Sequence, residues 1–139
     1  MPVLARWFVK SALVYFVLAL VAGVLSAAGP VLDLPLRIPA LGPVYFHLLM
    51  VGWVTQLIIG MAYWMFPKYS KERPRGSDAL AWATYILLNA GLILRVIGEP
   101  LTAASPGSGW GWLLAASATL QLLAGWAFIA NTWRRVRER

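Results

Sequence analysis

Four apolar runs, each about as long as a helix needs to be to cross a bilayer, constrain this chain more than any other feature of its sequence. A helix crosses roughly 30 Å of hydrocarbon with about 20 apolar residues, and the runs fall at about 8–28, 43–66, 79–98 and 109–132. Inside hydrocarbon every backbone N–H and C=O must find a partner within the protein, so such runs fold as helices. Only 12% of the residues are charged and 60% are hydrophobic, whereas a soluble domain carries about a quarter charged residues. The charges gather into short clusters that mark loops. The expected fold is all-α, an integral membrane four-helix bundle forming one transmembrane domain over residues 1–139. Arg6 and Lys10, ahead of an apolar run ending in Ser26-Ala27-Ala28, also fit a secretory signal. The length of that run favours a span, and a start at Met1 argues against cleavage.

The basic residues orient the bundle, because Lys and Arg in short loops stay on the cytoplasmic side. Arg6, Lys10, Lys68, Lys71, Arg73, Arg75, Arg134, Arg135, Arg137 and Arg139 fall on one face, and only Arg37 and Arg95 on the other. Both termini and the loop between the second and third helices are therefore expected in the cytoplasm, with the chain multi-pass in the cell inner (plasma) membrane. The net charge of +7 belongs to these flanks and to anionic lipid, not to a nucleic-acid surface. Without cysteine, the chain has no disulfide, thiolate metal site, iron–sulfur cluster or covalently attached heme.

Ala28-Gly29-Pro30 is expected to end the first helix. A proline-rich loop over the outer surface follows, then Gly42-Pro43 starts the second helix and Pro67 closes it. Ser77 or Asp78 caps the third, which Gly98 and Pro100 stop. The loop Ser105-Pro106-Gly107-Ser108-Gly109 leads to a fourth helix from Trp110 to about Trp133. Trp7, Trp64, Trp82, Trp110, Trp112 and Trp133 fall near the interfaces, as an aromatic belt does.

His47, the chain's one histidine, opens the second run. A neutral imidazole at the edge of hydrocarbon either ligates a metal or bonds water or a carbonyl. At 100° per residue it shares a face with Met50, Val51, Val54, Ile58, Met61 and Met65, while Gly52, Gln56 and Gly60 form a small-residue strip opposite. The third helix runs back outward, so Arg95 and His47 each lie roughly 5–6 Å inside the outer boundary at 1.5 Å per residue. An imidazole above an apolar slot beside a guanidinium suits heme b: iron on His47, macrocycle against Met50 and Val54, a propionate on Arg95. An i,i+4 pair with Glu99 or snorkelling to headgroups accounts for Arg95 equally well. Met50, Met61 and Met65 also read as packing, and Asn89 and Gln121 as interhelical hydrogen-bond groups. No nucleophile–base pair or carboxylate pair points to catalysis.

The run Tyr45-Phe46-His47, with Gly60 and Tyr63-Trp64-Met65-Phe66-Pro67 after it, resembles the tenth transmembrane helix of subunit I of heme-copper oxidases and nitric oxide reductases. In that family a His-x-His motif opens the helix, its first histidine ligating the high-spin heme and its second the low-spin heme. His47 matches the second, and Tyr45 stands in place of the first. His47–Gly52, Trp53 and Val54, together with Asn89, Gly91, Arg95 and Gly98, also look like short four-span subunit I-like proteins. The family's subunit has three four-helix arcs, and this chain has the length of one.

The resemblance implies heme b (protoheme) on His47, in electron transfer or heme carriage. Terminal oxidase activity is not expected, because the copper and high-spin histidines are missing. One chain supplies one axial ligand, so a homo-oligomer is expected, a dimer sharing heme between two His47 or a trimer. Two rival readings are a cofactor-free accessory or assembly subunit of a respiratory membrane complex, docking through Gly52, Gly60 and the outer loop, and a quinone or small-molecule sensor.

Overall fold

The computed structural model describes residues 1–33, 35, 37–72 and 74–136, and these form helices and no strand. Four helices are long and apolar enough to cross a membrane. They are α1 (Val3–Leu32), α2 (Leu41–Met65), α3 (Asp78–Ala104) and α4 (Gly111–Thr132), the last continued by a 3-10 turn at Trp133–Arg135. Arg73, Arg137 and Arg139 of the expected basic flank lie outside the described residues.

Two helices outrun their expected ends. Pro30 lies inside α1, which closes at Asp33 in the left-handed region (φ 47°) with the Asp33 N–H donating to the Gly29 carbonyl. Pro100 lies inside α3, which continues to Ala104. A proline removes one backbone donor, and a span whose remaining groups must stay paired in hydrocarbon absorbs that loss within its last turns. Gly98 serves packing, since a Cβ there would come within 3.0 Å of Leu114 and 3.1 Å of Leu113. The start of α3 is as expected, with Ser77 Oγ accepting from the Leu80 N–H at 3.4 Å.

Small residues set how closely the helices approach. Along α1, Ala5, Ala12 and Ala19 are fully buried, whereas Leu13, Val17, Leu20 and Val24 are exposed and form a lipid-facing flank. On α2, a Cβ at Gly52 would fall 2.7 Å from Tyr15 Cβ, and one at Gly60 would fall 2.6 Å from Phe8 Cβ. The glycine strip is therefore buried against α1 and is not open to another subunit, which corrects the docking surface expected from sequence. Between α3 and α4, Gly91 receives Ser117 and Gln121, and Ser117 Oγ donates to the Gly91 carbonyl at 2.6 Å. Ser117 is thus the interhelical bond here, while Gln121 reaches only Ser117 on its own helix, at 3.5 Å. Asn89 does bridge helices, accepting from the Tyr15 hydroxyl at 2.9 Å.

The end carrying both termini is tied by two side chains of the α4 terminus. Asn131 Oδ1 accepts from the Ser77 N–H at 2.7 Å. Arg135, 1% exposed, donates to the carbonyls of Pro67 (3.0 Å), Tyr63 (3.1 Å) and Phe66 (2.9 Å). Those carbonyls end α2 and have no helical partner of their own. Arg135 is therefore a structural cap as well as a flank charge.

Candidate functional site

α2 is not uniform. An α-helical turn at Leu41–His47 passes into a π-helical segment, Leu48–Thr55, before α-helix resumes at Gln56–Met65. His47 is the last residue before the change. π segments inside helices concentrate at functional positions, and this one shifts the 100° register by which sequence placed the residues below His47. The two-face division persists: Gly52, Gln56 and Gly60 are buried, while Met50 (41%), Ile58 (59%) and Met65 (67%) stay exposed.

His47 is half-buried, and its Nδ1 stands 2.9 Å from the Pro43 carbonyl and 2.9 Å from Glu99 Oε1. A carbonyl only accepts, so Nδ1 carries the proton; in the neutral ring, Nε2 then presents its lone pair. Glu99, 9% exposed, also lies 3.9 Å from Arg95 Nη1. One buried carboxylate thus sits between an imidazole on α2 and a guanidinium on α3. Three further polar atoms in this part of α3 are buried with no hydrogen-bond partner: Arg95 Nε, Glu99 Oε2 and Thr102 Oγ1.

Sequence reasoning placed His47 and Arg95 at one depth but gave Glu99 only to Arg95. The missed signal was antiparallel geometry, which brings the last turns of α3 beside the first turns of α2 and sets an acid at the level of the histidine. Met50 is exposed and Val54 half-buried, and no bond joins either to the His47–Glu99–Arg95 group. Tyr45 turns the other way, its ring 3.1 Å from where a Cβ would stand on Gly23 of α1. Gln56 is fully buried, as its place in the glycine strip implies, and neither amide atom is bonded.

The loop between α1 and α2 frames a cavity of about 490 Å³, with Leu25, Ser26 and Gly29 of α1 on one side and Arg37, Ile38, Ala40 and Gly42 on the other, and His47 is not part of its wall. Among the described residues no group of three or more His, Cys, Asp or Glu side chains is gathered for a metal ion. Comparison with known proteins gives no match: no family model, curated protein or solved structure is similar to this chain.

Proposed function

We propose that this chain binds heme b in the membrane with His47 as an axial ligand and serves electron transfer or heme carriage. The observation that carries the reading is the bond from His47 Nδ1 to the Pro43 carbonyl, with Glu99 Oε1 also 2.9 Å from that nitrogen; these contacts orient the ring and leave the Nε2 lone pair for a ligand. A ligand histidine whose other nitrogen bonds a carboxylate or carbonyl is the common arrangement at protein-bound metals. With no cluster of further ligands nearby, a metal here would draw most of its donors from elsewhere, as heme iron does from its macrocycle. Exposed Phe46 and Met50 beside His47 offer an apolar surface for a flat ring. Arg95, whose contact to Glu99 is long and whose Nε is unpartnered, keeps donors for a propionate. Bound heme would supply a one-electron couple, and the chain's own residues hold, orient and shield it.

The oxidase-like run from Tyr45 to Pro67 supports the same assignment. A partly exposed ligand, one per chain, fits a site completed by another copy, in a dimer with two His47 facing one heme or a trimer. Respiratory-chain subunits are the natural electron partners. The basic flanks support an inner (plasma) membrane topology with both termini in the cytoplasm. The rival reading is a cofactor-free accessory subunit, which the His47–Glu99 contact favours, because it joins α2 to α3 without any ligand.

Heme content decides between them. The wild-type chain, purified in detergent from cells with ample heme, is expected to carry protoheme, and His47→Ala to purify folded and without it. A stable, colourless wild-type protein would overturn the proposal.

A further inference from the structure

A groove of about 410 Å³ runs between α1 and α3, with Trp7, Lys10, Val14 and Tyr15 on one wall and Tyr85 and Asn89 on the other. At its end nearer the chain's N-terminus it meets a second hollow of about 280 Å³, lined by Val3, Arg6, Trp7 and Lys10. Trp7 and Lys10 belong to both, so the two make one channel with two cations at its mouth. Arg6 and Lys10 are exposed, and among the described residues no acid lies within ion-pair distance of either. Side chains on a helix lean toward its N-terminus, so both cations extend toward the membrane surface while their stems line the groove.

The polar groups of the groove are already engaged with one another. Ser11 and the Tyr85 hydroxyl share a bond of 2.7 Å, the Tyr15 hydroxyl donates to Asn89 at 2.9 Å, and the Asn89 amide donates to the Tyr85 carbonyl at 2.8 Å. Such a wall suits a hydrocarbon chain better than a quinone ring, whose carbonyls need free donors. We propose that this channel is a binding site for an anionic phospholipid, one acyl chain lying along α1 and α3 and the phosphate headgroup held by Arg6 and Lys10. Trp7 stands at the junction of chain and headgroup, where indole rings favour the interface. The site uses neither His47 nor heme and stands or falls apart from them.

Native mass spectrometry of the full chain, released from vesicles of phosphatidylcholine with phosphatidylglycerol, counts the lipid that stays bound. Wild type is expected to retain phosphatidylglycerol in preference to phosphatidylcholine. The double variant Arg6→Gln/Lys10→Gln should weaken that retention roughly tenfold or more, as two interfacial cations warrant. Val14→Trp, at a position 59% exposed, fills the groove and leaves both cations, and it should lose the lipid as well. Equal retention of the two lipids by wild type, or undiminished phosphatidylglycerol in Val14→Trp, would overturn the site, as would a quinone found in place of phospholipid.

Discussion

Glu99 stands between His47 of α2 and Arg95 of α3. A carboxylate nine-tenths buried needs partners, and removing one partner of a buried pair costs far more than replacing both. His47→Ala leaves Glu99 with only the long contact to Arg95 and is expected to destabilise the protein by about 2 kcal/mol, as the loss of a polar partner to a buried acid does. Adding Glu99→Gln should recover most of that loss, so the double variant will be more stable than His47→Ala alone. Unfolding in mixed detergent micelles measures both, and strict additivity would show that the two side chains do not interact. At the opposite end, Arg135→Ala strands three carbonyls that close α2 and should cost about 3 kcal/mol or more by the same measurement. Arg135→Lys should rescue only part, because one ammonium does not reproduce a planar fork spread over three acceptors.

Helix contacts here are decided by glycine and alanine. Gly60→Ala puts a methyl 2.6 Å from Phe8 Cβ and should cost about 1–3 kcal/mol through the forced separation of α1 and α2. Gly125→Ala, where a Cβ would meet nothing within 4 Å, should be neutral or stabilise α4 by up to about 1 kcal/mol. Thermal aggregation midpoints in one detergent compare the two, and equal losses would argue against close packing at Gly60. The element ends were less legible in sequence than the packing strip. Gly52, Gln56 and Gly60 announced their face by spacing alone, but Pro30 and Pro100 looked like stops because sequence shows the missing donor and not the packing that carries a helix past it. The π segment at Leu48–Thr55 had no sequence mark, since its residues are as apolar as those of an α-helical span.

At the scale of the whole molecule, four spans place the α2–α3 loop and the α3–α4 loop on opposite sides of the membrane. The chain has no cysteine, so single Ser70→Cys and Ser108→Cys variants report topology without background. On intact cells Ser108→Cys should react with an impermeant maleimide and Ser70→Cys should not, and the reverse pattern would invert the proposed orientation. Four helices were readable from hydropathy because hydrocarbon leaves a chain so few options. The site was half readable: His47 and Arg95 stood out as polar groups in apolar runs, while the Glu99 contact between them depends on how α2 and α3 lie together, which no local pattern encodes. Electron paramagnetic resonance of the oxidised, heme-loaded protein tests the proposal that one chain supplies half a heme site through His47. A low-spin ferric signal of two imidazole ligands, absent in His47→Ala, is the expected result. A high-spin signal, or a low-spin signal that survives the loss of His47, would contradict it.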